Sequence, residues 1–155
     1  MRAVPRAARR GYALVEVLVA ATVLAIGLLG GVALLLDGAR AARGARHATA
    51  AAGLLSDLGE RIRANPAAGD AYAIAADRSP EPPADRCEST CDAASIAAVD
   101  LADWRQHAEA VLPGARTAVA VATLDGGPAL RYMITVEWTV AGRDQRARLD
   151  AVVVP

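Results

Sequence analysis

The chain has 155 residues and a formal net charge of zero; aromatics make up only 3%, Phe is absent, and many of the 54% apolar residues are Ala. One domain is expected, with a small core built mainly from Val, Leu, Ile and Ala. All 17 basic residues are Arg; Arg2, Arg6, Arg9 and Arg10 precede residue 12 with no acidic residue among them, which leaves 13 Arg against 17 Asp and Glu in the remainder. That mildly acidic remainder argues against non-specific nucleic-acid binding, which needs phosphate-neutralising cations.

After the Arg-rich start, residues 17–36 read VLVAATVLAIGLLGGVALLL, 20 residues without a charge. At 1.5 Å per residue such a helix is about 30 Å long, the thickness of a bilayer core. The preceding arginines orient it: residues 1–11 stay cytoplasmic and the chain after Asp37 is exported. An ordinary secretory signal would have a shorter apolar run of about 7–15 residues. Glu16 breaks the pattern at the head of this run. A carboxylate at mid-bilayer costs roughly 2.5–3.5 kcal/mol, less near the interface. Glu16 therefore either snorkels to the headgroups or meets a positive partner when the helix packs against another subunit. Gly27 and Gly31 form a G-x-x-x-G pair with Gly30 beside them, a spacing that permits close helix approach in lipid; incidental Gly in an Ala/Gly-rich chain is the alternative.

The stretch RRGYALVEVLVAATVLAIGLLG resembles the class III signal of type IV prepilins: a short basic leader ending in Gly, an aromatic or Met residue, and Glu as the fifth residue of the mature chain. Gly11 matches the last leader residue, Tyr12 the new N-terminus, where Phe is usual, and Glu16 the fifth mature residue. The resemblance implies cleavage by prepilin peptidase between Gly11 and Tyr12 and N-methylation of Tyr12. It also implies pairing of the Glu16 carboxylate with the N-terminal amine of a neighbouring subunit. In a low-dielectric fibre core that attraction is strong, and an unpaired charge there is costly. The expected divisions are a leader at 1–11, an assembly segment at 12–36, an amphipathic half-helix at 37–64 and a head at 65–155.

Beyond the apolar run, Ala48, Ala51, Leu55, Leu58 and Ile62 recur at three- or four-residue spacing beside Leu54, an amphipathic helical face. Asn65-Pro66 ends it, because the residue before Pro is pushed out of helical geometry. One helix over about 12–64 is expected, with His47 on its surface. Residues 66–95 hold Pro80, Pro82 and Pro83 and read as a long irregular connection, a type of loop that tends to be functional or disordered. Within it, Cys87 and Cys91 read as a disulfide in an exported chain, with two free thiols as the alternative. A five-residue loop closed this way gains on the order of 2 kcal/mol. His47 and His107 lie too far away in sequence to complete a metal site with them.

VDLADWRQHAEAVLPG predicts a short helix capped by Asp100 and ended by Pro113-Gly114, with Leu101, Trp104, Ala108 and Val111 on one face. In ALRYMITVEWTV, Leu130, Tyr132, Ile134, Val136, Trp138 and Val140 alternate with polar residues and Met133, the period of a half-buried strand. Residues 116–124 and 145–154 read as its neighbours, with turns at Asp125-Gly126-Gly127 and Ala141-Gly142-Arg143-Asp144. The expected fold is α+β and pilin-like: a long N-terminal helix on a three-stranded antiparallel sheet, with a short second helix.

RIRANP, CESTC, DLADWRQHAEAVLPG and YMITVEW resemble the minor-pilin branch of the superfamily, the type IV pilus modification proteins of PilV type. That resemblance implies a minor pilin that joins or primes a fibre, with other major and minor pilins, prepilin peptidase, the inner-membrane assembly machinery and, before assembly, membrane lipid as its partners. The implied location is the bacterial inner membrane, with a cytoplasmic N-terminus and a periplasmic head, and then the pilus. A minor pseudopilin of a type II secretion system carries the same signal and is the nearest competing role. A DNA-uptake tip would need Arg131, Arg143, Arg146 and Arg148 to form a basic patch, against the interleaved Glu137, Asp144 and Asp150. Without a phosphate-binding loop, nucleophile elbow, triad or ligand cluster, no catalytic residue, metal or cofactor is expected.

Overall fold

The computed structural model describes residues 8–83, 91–124, 129–140 and 142–153. Its elements run α1 (Ala8–Ala64), a 3₁₀ segment (Pro66–Tyr72), α2 (Ala93–Val111), β1 (Arg116–Thr123), β2 (Leu130–Val140) and β3 (Arg143–Val153). The chain divides into two compact units, residues 1–43 and 44–155, so residues 44–64 of α1 belong to the head. The α+β class expected from the sequence is the observed one.

The head is two helical segments over one antiparallel sheet of order β1-β2-β3. The central strand carries the core. Tyr132, Ile134, Val136 and Trp138 are buried, while Leu130 and Val140 at its ends are half-buried. Val140 pairs with Arg143, and Tyr132 with Ala151. The two-residue connection at 141–142 includes Gly142 at φ 75°, a left-handed conformation that Gly adopts without Cβ strain. The 125–127 turn lies outside the described residues.

Opposite the sheet, α1 buries Ala51, Leu54, Leu55, Leu58 and Ile62. Ala48, expected on this stripe, is exposed instead. From α2, Ala97, Leu101, Trp104 and Ala108 enter the same core, and Trp104 Nε1 donates to the Leu54 carbonyl at 2.9 Å. Val111, expected on that face, is 38% exposed, and Leu112 takes its place at 1%. The helix ends at Val111, and the Leu112 backbone bends to an extended conformation immediately before Pro113.

The N-terminus of α2 corrects the sequence reading. The cap is Asp92, whose carboxylate accepts from the Ser95 N–H at 2.7 Å. The Ser95 backbone and side chain hold this carboxyl below the usual range. Asp100 lies two turns inside the helix, where Arg61 Nη1 (3.0 Å) and the Tyr72 hydroxyl (2.7 Å) donate to its two oxygens. Residues 93–95, expected in the irregular connection, are helical because Asp92 supplies the start.

The described part of the 66–95 connection is also more ordered than its composition implies. Pro66 opens the 3₁₀ segment, which kinks at Gly69 (φ 54°) and buries Tyr72. Ile74 then forms an antiparallel bridge with Val119 on the β1 edge. Arg105 ties this passage down: Nε donates to Thr117 Oγ1 (2.9 Å), Nη2 to the carbonyls of Thr117 (2.9 Å) and Ala75 (3.2 Å), and Nη1 to that of Arg78. Cys91 is disulfide-bonded; Cys87 lies outside the described residues.

Tyr72 and Tyr132 meet edge-on, with ring centroids 6.4 Å apart. Burial pushes the Tyr72 phenol well above its ordinary range, and its bond to Asp100 adds to the shift. Burial also raises Tyr132, with the Asp70 charge adding to it. A phenol whose folded pKa is raised contributes stability that is complete below its unfolded pKa of about 10 and is lost as pH climbs towards the folded value. Unfolding midpoints of the head should therefore hold steady through neutral pH and fall above about pH 10. Tyr72→Phe should flatten that alkaline limb and cost about 1–2 kcal/mol at pH 7, since Asp100 loses a donor. An unchanged alkaline limb in the variant would count against this role for Tyr72.

Candidate assembly segment

The segment that distinguishes this chain is the exposed apolar part of α1. From Leu14 to Leu36 the large apolar side chains are 52–76% exposed. In water that surface is costly, at roughly 25 cal/mol per Å², so it calls for lipid or a partner. It is also the one helix among the described residues long and apolar enough to cross a membrane.

Gly11 and Tyr12 lie in the first two turns of α1, which begins four residues before the expected start at 12. Glu16 follows one turn after Tyr12 and is exposed, with no hydrogen bond or ion pair among the described residues. Val19, Ala20, Val23 and Leu24 line the shallow surface beside it. Within the apolar run, the Thr22 hydroxyl donates to the Val19 carbonyl at 2.8 Å, which satisfies it inside its own helix. Glu16 has no such internal solution, because a carboxylate accepts only and the helix N–H groups around it are already bonded. Its chemistry points to an external cation or donor.

At Gly27, Gly30 and Gly31 an added Cβ would meet nothing within 4 Å. Nothing among the described residues uses the space that these glycines leave open. Beyond the run, Arg40 and Asp37 form an exposed pair at 2.7 Å, worth little in water.

The arginines weighed as a nucleic-acid patch do not form one. Arg146 pairs with Glu137 across β2–β3, and Arg148 pairs with Asp150 at 3.0 Å. Arg131 and Arg143 stand at opposite ends of the β2–β3 ladder. His107 is exposed. His47 is half-buried rather than on the surface, and its Nδ1 is enclosed without a partner. Among the described residues, no three His, Cys, Asp or Glu side chains are grouped as a metal site.

Residues 6–32 match the prokaryotic N-terminal methylation motif, a type IV pilin-like signal. The match spans Gly11, Tyr12, Glu16, Gly27 and Gly31, and it supports the pilin superfamily. Such a motif marks structural subunits rather than enzymes, and it implies processing by prepilin peptidase and assembly with other pilins. Comparisons with curated proteins and with solved structures found no match.

Proposed function

We propose that this chain is a minor pilin of PilV type, cut between Gly11 and Tyr12, N-methylated at Tyr12, and incorporated in or priming a type IV pilus. The observation that carries this reading is the exposed Glu16, heading an exposed apolar helix within the methylation-motif match. Before assembly the apolar run spans the inner membrane, with the head on the periplasmic side. On assembly, lipid around the helix is exchanged for neighbouring subunits, and Glu16 pairs with a neighbour's freed amine. Gly27 and Gly31 let those helices approach closely. Cys87 joined to Cys91 closes the loop that leads into α2.

The test is fractionation of cells that make the chain in the presence and absence of prepilin peptidase. The chain is expected in sheared pili only when the peptidase is present, and in the inner membrane in both cases. Recovery from a type II secretion fibre instead would assign it to that machine as a minor pseudopilin. Absence from every fibre would contradict the proposal.

A further inference from the structure

Two enclosed polar atoms of the head have no partner among the described residues, His47 Nδ1 and Trp138 Nε1. Elsewhere among the described residues the buried polar side chains are served: Trp104 has Leu54, Tyr72 has Asp100, and Thr117 has Arg105. Buried donors and acceptors in folded proteins are normally paired, so each of these atoms draws attention to its surroundings.

Trp138 lines a groove of about 450 Å³ with Gly44, Ala48, Val140, Arg143 and Gln145. His47 lies on α1 between Gly44 and Ala48, one turn before the buried Ala51. The small side chains at 44 and 48 leave the groove open; this is where the α1 stripe continues past its cover and Ala48 becomes exposed. Arg143 stands at the rim, exposed and without an ion pair or hydrogen bond among the described residues. Its acidic neighbour Asp144 accepts from Thr139 Oγ1 at 3.0 Å instead. The Gln145 amide nitrogen donates to the Asp144 carbonyl, and Gln145 faces Trp138 in the strand register. The groove thus joins an apolar wall to a guanidinium without a partner among the described residues, a set that favours an occupant with an apolar stem and a negative charge.

We infer that this groove receives an Asp or Glu side chain from an adjacent subunit, with Arg143 as its charge partner and Trp138 as part of its apolar wall. This rests on the proposed fibre role. The apolar walls suit the methylene stem of such a side chain, and Arg143 suits its carboxylate.

The test uses the full chain in fibre-forming cells, with a photo-crosslinking residue at Gln145 and three variants. Arg143→Glu should lower the fibre fraction by about tenfold at an unchanged membrane level. Arg143→Lys should keep most of it, and so should Trp138→Phe, which retains an aromatic wall. The cross-link should map to an Asp- or Glu-bearing segment of another subunit and vanish in Arg143→Glu. Normal incorporation of Arg143→Glu, or a cross-link confined to lipid or to the same chain, would overturn the inference while leaving the fibre role standing. Absence of the wild-type chain from fibres would overturn both.

Discussion

Glu16→Ala should leave the chain in the membrane at its wild-type level and remove most of it from fibres. The two effects separate because they depend on different terms. Insertion is driven by the apolar run 17–36, and deleting a carboxylate at its head makes transfer into lipid easier, by at most roughly 2.5–3.5 kcal/mol and less near the interface. Assembly depends on the proposed pair between Glu16 and a neighbour's amine. Removing one partner of a buried pair costs about 3–5 kcal/mol, because the other charge stays buried alone. At 1.4 kcal/mol per factor of ten, the fibre fraction should fall by about a hundredfold or more. Glu16→Gln should fall nearly as far, since the amide keeps the volume and loses the charge. Quantitative immunoblots of membrane and sheared-fibre fractions give the ratio directly. Equal fibre incorporation by Glu16→Ala would remove the assigned role.

The largest effect on the head should come from Trp104→Ala. Trp104 is 1% exposed, and it joins α2 to α1 through the 2.9 Å bond to Leu54. Large-to-small changes of this kind cost about 3–5 kcal/mol, through lost transfer energy and the cavity left behind. Domains of this size have only about 5–15 kcal/mol in total. Urea unfolding of a soluble fragment spanning residues 44–155 should therefore show a large drop in midpoint, followed by the fluorescence of the remaining Trp138. Trp104→Phe should cost far less, since the ring volume is largely kept and one net hydrogen bond of about 1 kcal/mol is lost. A loss below about 1 kcal/mol for Trp104→Ala would contradict the core position of this residue.

Periodicity made much of this architecture legible in advance. The alternation from Leu130 to Val140 marked both the central strand and its buried face, because a strand's side chains change face at every residue. Asn65-Pro66 marked the end of α1, because Pro disfavours helix at the preceding position. The polar contacts were not legible. Asp100 looked like a helix start, since Asp caps helices well. Only the fold reveals that Arg61, 39 residues away, and Tyr72, 28 residues away, converge on it. Arg105 was equally silent, because its partners are mostly backbone carbonyls on Ala75, Arg78 and Thr117, and carbonyls leave no trace in the residue code. Ala48 and Val111 were misplaced for a related reason. A helical stripe gives the face of a helix and not how far the opposing layer extends along it.

The candidate assembly segment was legible as a motif, because that motif is local. The basic leader, Gly11, Tyr12, Glu16 and the uncharged run are contiguous, and the motif match over residues 6–32 falls on the same stretch. The head groove was not legible, since it depends on a fold that brings Gly44 and Ala48 of α1 beside Trp138 and Val140 of β2.

The account's central claim is that the chain is cut between Gly11 and Tyr12, so that the Glu16 carboxylate becomes the fifth residue of a chain with a new amine. Mass spectrometry of the N-terminal peptide of the protein purified from cell membranes tests this most directly. The account predicts a peptide that begins at Tyr12, with a methyl group on its amine. A protein still carrying Met1 and the Arg-rich leader, or one beginning near residue 40, would contradict it.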